Sequence, residues 1–361
     1  MAIIFLHKFF FTEKKRLIYR QGQFSVSLFQ YDTGVCVAEL CNKVGSIIVL
    51  PFNGQMIWDA VFWEKSIKAK TMFEKPHQSL DFRDTYGCYL MHCGPRRIGF
   101  DEDNIHPLHG ELPFANYESA WLTIGEDRRG QYIGISGEYR FDNEFSPRSG
   151  HYTAVPECRL YEDSSVLDIM MTIKNLSNDP MEFMYLFHVN NQAKPKGRFV
   201  QSCKCNSTNM RLLRPEPQDP MPEASIKLRE GLIKDIEHNG TIMEDAEYAP
   251  EFTIMFSNLR EDEEAYFHFM QIDSEGGADY TGIKKGEVIR YFERWWSRTK
   301  DRSVCSLASP STCRTNGYRI QKEAGNVITV GGGESISMAI RIGYLQKAEA
   351  EKLEKKICDL I

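Results

Sequence analysis

The sequence lacks the patterns that mark several large protein classes. Its ten cysteines include no Cys-x-x-Cys pair, so neither a zinc ribbon nor a disulfide framework is indicated. No stretch approaches the roughly 18 uninterrupted apolar residues of a membrane helix. The apolar run near the N-terminus is too short and too broken for a signal peptide. We therefore predict a soluble, cytoplasmic protein that has no membrane partner.

Motifs for nucleotide, metal and nucleic-acid chemistry are also missing. The sequence has no Gly-x-Gly-x-x-Gly, no phosphate-binding P-loop, no His-Glu-x-x-His and no Gly-x-Ser-x-Gly. Its net charge of -6 argues against a nucleic-acid surface. The pair Cys203 and Cys205 lacks companion ligands for a metal. We predict no nucleic-acid partner, no metal site and no cofactor.

Alternation of apolar and polar residues dominates what is present. This period of two predicts strands at 23–29, 45–50, 132–136, 166–173, 252–256, 266–272 and 335–342. Turn-forming clusters separate these segments, and no long helix alternates with them as a doubly wound fold requires. The fold class is therefore all-β, a large antiparallel β-sandwich.

Strand patterns of one kind continue along most of the chain and favour a single domain over 1–345. Two stretches, 211–224 and 273–286, read as irregular surface loops within that domain. Residues 346–361 predict a C-terminal amphipathic helix, with Leu353 and Ile357 on its apolar face. We expect this helix to pack back on the sandwich. A homodimer contact is the alternative use of its apolar face.

Two histidines in apolar surroundings suggest a site for chemistry. They lie in Pro107-Leu-His-Gly-Glu-Leu-Pro113 and in Leu186-Phe-His-Val-Asn190. If residues 108–112 are extended, His109 and Glu111 share one face about 7 Å apart, and can divide acid and base roles.

A structural explanation of the same residues stays open. In it, His109 satisfies a backbone group in a tight turn and Glu111 is solvated. His188 weighs against it, because its strand is too apolar for a surface and a buried imidazole needs a partner or a ligand. Asn190 follows on the same predicted strand face and adds an amide suited to hydroxyl groups.

The segment 290–298 alternates arginines with aromatic rings. Sugars bind through such chemistry, since their C–H faces stack on indole rings while charged groups hold the hydroxyls. Arg294 and Trp295 are the candidates for a sugar-binding wall. The alternative is a core tryptophan beside surface arginines.

Several segments, taken in order, resemble one family. They are Pro51-Phe-Asn-Gly-Gln-Met-Ile-Trp58, the Cys93-Gly94 turn, Leu108-His-Gly110, Leu186-Phe-His-Val-Asn190, the segment from Tyr291 to Trp295, and Pro310-Ser-Thr-Cys-Arg-Thr-Asn-Gly317. Together they are similar to the aldose 1-epimerase (galactose mutarotase)-like superfamily, and within it to a bacterial branch. The resemblance spans most of the chain.

The resemblance implies a sugar cleft on one sheet of a β-sandwich and a mechanism that opens and recloses a pyranose ring. His188 matches the histidine that protonates the ring oxygen, and His109 matches the second histidine. The family's base is a glutamate before a proline, where this chain has Ser309. Glu111 is our first candidate for a substitute base, and Glu293 is the second.

We therefore predict an isomerase that resembles aldose 1-epimerase and acts by acid/base ring opening at the anomeric centre of a monosaccharide or derivative. Asn190, Arg294 and Trp295 are predicted to position the ligand, with Arg97 added if the sugar carries an acidic group. The first alternative is a sugar-binding protein that lost catalysis with the glutamate. The second is a lyase or glycosidase on a similar sandwich, for which the sequence offers no clear carboxylate pair.

Overall fold

Antiparallel strands make up most of the molecule. The computed structural model describes residues 2–79, 81, 86–100, 106–142, 150–213 and 220–361, except for the side chains of residues 238 and 239. Neighbouring strands pair in antiparallel ladders, as residues 132–141 do with residues 152–161. The predicted fold class, a large antiparallel β-sandwich, is confirmed.

The strands, in chain order, are β1 (Ala2–Leu6), β2 (Arg16–Gln21), β3 (Phe24–Gln30), β4 (Cys36–Cys41), β5 (Gly45–Val49), β6 (Ile57–Phe62), β7 (Lys65–Ser66), β8 (Leu90–Cys93), β9 (Ser119–Asp127), β10 (Gly130–Phe141), β11 (Tyr152–Tyr161), β12 (Val166–Asn175), β13 (Met181–Phe183), β14 (Leu186–Val189), β15 (Arg198–Gln201), β16 (Met210–Leu212), β17 (Tyr248–Phe256), β18 (Tyr266–Ile272), β19 (Ala278–Lys284), β20 (Glu293–Arg298), β21 (Ser303–Ser306), β22 (Ile328–Val330) and β23 (Ser335–Leu345). The helices are α1 (Glu223–Lys234), α2 (Tyr318–Glu323) and α3 (Lys347–Leu360). No helix of the described residues is long and apolar enough to cross a membrane.

The chain divides into two compact units. The first consists of Met1–Ser66, Phe73–His188 and Ser311–Ala339, and the second of Ile67–Met72, Val189–Pro310 and Ile340–Ile361. Each unit is assembled from three segments that are distant in sequence. A division of this kind is not marked by one linker between two continuous stretches of chain. A single domain over 1–345 stays a prediction.

The described part of the first unit contains the short two-stranded sheet β13-β22 and two large antiparallel sheets. One has the order β1-β9-β10-β11-β12, and the other has the order β14-β8-β6-β5-β4-β3-β2. Alternate residues of β3, namely Phe24, Val26 and Leu28, are buried, while the residues between them are partly exposed. The period of two in the sequence therefore separates a core face from an outer face.

The second unit also contains two sheets. In one, β19 lies between β18 and the part of β23 that begins at Ile340, and β15 pairs with β18. The other has the order β16-β17-β20-β21. Helix α3 packs on this unit, with Ile357 fully buried and the Lys356 ammonium 2.6 Å from the Asp262 carboxylate. The predicted C-terminal helix is confirmed.

The seven predicted strands are all present, whereas one predicted loop is wrong. Residues 278–284 of the expected irregular stretch form β19, a central strand. The sequence misleads there because Asp279 is fully buried, where its carboxylate accepts hydrogen bonds from Lys194 at 2.8 Å and from Gln271 at 3.1 Å. Much of the other predicted loop, residues 214–219, lies outside the described residues, and α1 begins at Glu223.

Candidate functional site

The two histidines that the sequence singles out lie together in the first unit. His188 is on β14 and is 6% exposed, and His109 lies in the turn that follows Pro107. Their ring centroids are 5.4 Å apart, and the rings meet edge to face at 83°. The fold therefore places two imidazoles from separate segments in one cluster.

A strained turn fixes the position of His109. Its φ is 61°, and the φ of Gly110 is 83°, both in the left-handed region. A Cβ on Gly110 would lie 2.3 Å from the carbonyl oxygen of Arg97, so only glycine fits there. The amide of Gly94 donates to the carbonyl of His109, and the amide of His109 donates to the carbonyl of Gly99. These bonds hold the turn against the 94–99 loop.

The same loop defines the proton position on His109. The amide of Gly99 donates to Nδ1 of His109 at 3.3 Å, so this nitrogen is an acceptor and the proton of the neutral ring is on Nε2. Burial, together with the neighbouring His188 and His106, holds the pKa of His109 well below its usual value. His109 is therefore a neutral imidazole with an N–H donor at Nε2.

An aromatic residue that the sequence did not single out lies beside His188. The ring of Tyr86 meets the ring of His188 edge to face, with centroids 6.0 Å apart. Tyr86 precedes Gly87, whose tight contact with Trp58 leaves no room for a side chain. Tyr86 lies in a turn, and no pattern in the surrounding sequence distinguishes it.

Glu111 does not project as the sequence predicts. Residues 108–112 are not extended, since the left-handed turn at His109 and Gly110 is followed by a 3₁₀ turn at Leu112–Phe114. The expected strand-like spacing of His109 and Glu111 is therefore wrong. The turn agrees instead with the alternative in which His109 satisfies a backbone group in a tight turn.

The carboxylate of Glu111 is nevertheless held in a defined position. It accepts a hydrogen bond from Arg96 Nε at 3.1 Å and another from the hydroxyl of Tyr152 at 2.9 Å. Burial raises the pKa of Glu111 above its usual value, and Arg96 and Tyr152 oppose that rise. The Arg96 guanidinium also stacks on the ring of Phe141 at 4.5 Å. Glu111 is thus a partly buried carboxylate with two hydrogen-bond donors.

Arg97 lies in a separate polar cluster of the first unit. Its guanidinium is 3.5 Å above the ring centroid of Tyr318 and 3.2 Å from the carboxylate of Glu182. Tyr318 and Lys322 bind the same carboxylate, at 2.6 and 3.0 Å. Glu182 therefore already balances part of the positive charge that was predicted to attract an acidic sugar.

The other predicted ligand-binding residues belong to the second unit. Asn190 was expected to lie on a strand, but β14 ends one residue before it. The side chain of Asn190 is fully buried. Ser309 has a φ of 35°, and its amide donates to the hydroxyl of Ser306. Their roles in ligand binding stay predictions.

Strand β20 carries Glu293, Arg294 and Trp295. Successive side chains of a strand point to opposite faces, so Arg294 projects away from its two neighbours. Arg294 is fully buried between the rings of Phe199 and Phe256, and it donates to Gln201 at 3.0 Å. Trp295 is partly exposed and donates to the carboxylate of Glu251 at 2.7 Å. Arg294 and Trp295 thus do not line one face of this strand.

Among the described residues, no group of three or more His, Cys, Asp or Glu side chains is arranged to hold a metal ion. The histidine cluster, with its neutral donor and its aromatic neighbour, is suited to binding a polar, uncharged ligand through hydrogen bonds.

Comparisons with known proteins support the fold at low sequence identity. No protein-family model matches the chain, and no curated protein matches it. Among solved structures, a candidate aldose 1-epimerase from Klebsiella pneumoniae has a TM-score of 0.80 and 13% identity, covering 96% of this chain and 91% of its own.

Two further structures show the same similarity. A galactose mutarotase-like protein from Clostridium acetobutylicum has a TM-score of 0.60 and 14% identity, over 88% of this chain and 98% of its own. Galactose 1-epimerase from Lactobacillus acidophilus has a TM-score of 0.52 and 10% identity, over 92% and 98%. Across almost its whole length, the chain therefore has the fold of the aldose 1-epimerase (galactose mutarotase)-like superfamily.

Proposed function

We propose that this protein binds a free monosaccharide or a derivative at the histidine cluster and interconverts its anomers, as an isomerase that resembles aldose 1-epimerase. The observation that carries this proposal is the edge-to-face pair of His109 and His188, with the proton of His109 fixed on Nε2. An imidazole that donates from Nε2, together with a second imidazole beside it that acts as an acid, can hold and protonate oxygens of one sugar.

In the proposed reaction, a base takes the proton of the anomeric hydroxyl, the bond between C1 and the ring oxygen breaks, and His188 protonates that oxygen. Rotation about the C1–C2 bond turns the aldehyde, and the former ring oxygen then adds to its other face. The hydroxyl proton returns to His188, and the base returns its proton to the anomeric oxygen. His109 donates from Nε2 to the ring oxygen or a neighbouring hydroxyl, which positions the sugar. Acid/base chemistry alone completes the cycle, so we propose neither a metal nor a cofactor.

We propose Glu111 as the base. Its position beside Arg96 and Tyr152 supports this role, because two donors orient the carboxylate, and burial raises the pKa toward the pH range where a base is most effective. Glu293 is the second candidate. It is buried at the start of β20.

The alternative function is a sugar-binding protein without catalysis. One observation favours it, because Arg96 already pairs with the Glu111 carboxylate and stabilises its charged form. Ser309 occupies the position where the resemblance expects a glutamate, and a serine is a poor base without an activator. Under this alternative, the histidine cluster still binds the sugar.

The remaining predictions form part of the proposal. Asn190, Arg294, Trp295 and Ser309 are proposed to assist ligand binding, and Arg97 to select an acidic substituent. We also propose a cytoplasmic location, which the ten free cysteines support, since disulfides are rare in reducing compartments.

Anomer exchange of freshly dissolved aldoses and sugar phosphates, followed by NMR, tests the proposal. The isomerase is expected to speed exchange of at least one sugar, with a rate proportional to protein concentration. Saturable binding without faster exchange supports the binding protein instead. Release of smaller sugars from an oligosaccharide contradicts both and supports a glycosidase or lyase.

A further inference from the structure

Strand β1 forms an open edge of a sheet in the first unit. Among the described residues, its ladder partner is β9, with Ile3 opposite Thr123 and Phe5 opposite Trp121. The other edge of β1 therefore presents backbone N–H and C=O groups that a further strand can pair.

The outer face of β1 is apolar and exposed. Ile3 is 48% exposed and Phe5 is 58% exposed. The ring of Phe5 lies 6.1 Å from the ring of Trp121, which is itself partly exposed, so the apolar surface continues from β1 onto β9. Leu6, on the opposite face, is buried in the core. The exposed apolar face and the open edge of β1 thus favour association.

A second edge strand of the same unit shows how this protein guards an edge. Strand β2 carries Arg16 and Arg20, and its register with β3 shifts between Leu17 and Tyr19. Charges and bulges of this kind prevent pairing with other chains. Residues 2–6 of β1 contain no charge, no proline and no register shift. β1 is therefore an edge without these protections.

We infer that β1 pairs with the β1 strand of a second copy of this protein, and so extends the sheet across a two-fold axis. In an antiparallel register centred on Ile4, Ile3 faces Phe5 of the partner subunit and Ala2 faces Leu6 of the partner subunit. These pairs are self-complementary in size and meet no like charge, as an isologous contact requires. The hydrocarbon region of a bilayer offers no donors or acceptors for the open strand edge, which favours a protein strand as the occupant.

Sedimentation velocity across the micromolar range tests this inference. We expect the protein to sediment at twice its chain mass of 41.7 kDa. Ile3→Lys with Phe5→Lys places like charges across the strand boundary and is expected to raise the dimer dissociation constant by about tenfold or more. Ile3→Lys with Phe5→Glu instead places opposite charges there, and is expected to dimerise more tightly than the first variant.

Ile18→Lys is the matched control, because it adds a charge to an exposed apolar position on the guarded edge β2 and should leave the dimer intact. Unchanged circular dichroism and melting temperature show that the variants are folded. A monomeric wild-type protein overturns the inference, as does a wild-type dimer that neither double substitution weakens. A monomeric wild type that binds phosphatidylglycerol vesicles, and binds them more strongly with Ile3→Lys and Phe5→Lys, would identify β1 as a membrane-binding surface. That result also overturns the inference.

Discussion

His109 combines two features that a single substitution can separate. Its Nδ1 accepts the amide of Gly99, and its φ of 61° lies in a region that asparagine tolerates better than most residues. His109→Asn therefore keeps the backbone geometry and an acceptor near Nδ1 but removes the donor at Nε2. The proposed positioning bond is lost while the turn is kept.

We expect His109→Asn to slow anomer exchange by about tenfold to a hundredfold, since a hydrogen bond to a group that develops charge contributes roughly 1.5–3 kcal/mol. The melting temperature should stay close to that of the wild type. His109→Ala is the comparison, because it loses the acceptor as well and should lower the melting temperature. Full exchange activity in His109→Asn would exclude Nε2 from the reaction.

Glu111 gives the second residue-scale prediction. Glu111→Gln keeps the size and the acceptor for Tyr152 but removes the base, and the exchange rate should fall by about a hundredfold to ten-thousandfold. Sugar affinity should change little. Unchanged exchange kinetics in this variant would remove Glu111 from the mechanism.

Tyr152→Phe distinguishes a base from a structural carboxylate. The Tyr152 hydroxyl lowers the pKa of Glu111, so its loss should raise that pKa and shift the acid limb of the rate profile to higher pH. A purely structural role for Glu111 predicts no such shift in the pH profile.

At the scale of elements, the sequence predicts strands well where alternation is strict and poorly where charge is buried. All seven strands predicted from alternation are present. Strand β19 was missed because the buried charge of Asp279 resembles a loop signal, although Lys194 neutralises it. A tight turn at His109 is one of the two alternatives that the sequence leaves open. The sequence does not decide between them, because the contact of Gly110 with Arg97 that requires glycine is not revealed by any local pattern.

The candidate site is predictable only in part for the same reason. The apolar run around His188 indicates a buried imidazole, which the structure places on β14. The donors to Glu111, namely Arg96 and Tyr152, come from a loop and a distant strand. Their meeting depends on tertiary packing, so residue spacing along the chain gives no sign of it.

Helix α3 gives a prediction about packing. Ile357 is fully buried on the second unit, and Ile357→Ala should lower the free energy of unfolding by about 2–4 kcal/mol through lost contacts and a cavity. Lys355→Ala, on the exposed side of the same helix, should change it by less than about 0.5 kcal/mol. Urea unfolding measures both, and equal effects would show that the helix does not depend on its buried face.

For the whole molecule, three histidines with lowered pKa values predict how stability changes with pH. Burial lowers the pKa of His92 to about 3, and it also lowers the pKa values of His109 and His268. Below pH about 6.5 the unfolded chain binds protons that the folded protein does not, so stability falls as pH decreases. Each histidine contributes a slope of up to about 1.4 kcal/mol per pH unit.

Urea unfolding between pH 7 and pH 5 measures this slope. The free energy of unfolding should increase as the pH increases over this range. His109→Asn should reduce the slope by nearly the share of one histidine, up to about 1.4 kcal/mol per pH unit. A stability that stays constant or rises on acidification would contradict the neutral state assigned to these histidines.

The central claim, that a sugar binds at the histidine cluster, is tested most directly by NMR of protein labelled with ¹⁵N at its histidine side chains. His109 and His188 are assigned from the signals missing in His109→Asn and His188→Asn. His268, whose ring is buried and bonded to Asp262 and Tyr280, serves as the internal control. During titration with aldoses and sugar phosphates, we predict that the His109 and His188 signals shift along one saturation curve for at least one sugar, while His268 stays fixed. Binding of a sugar that leaves both signals unmoved would contradict the claim.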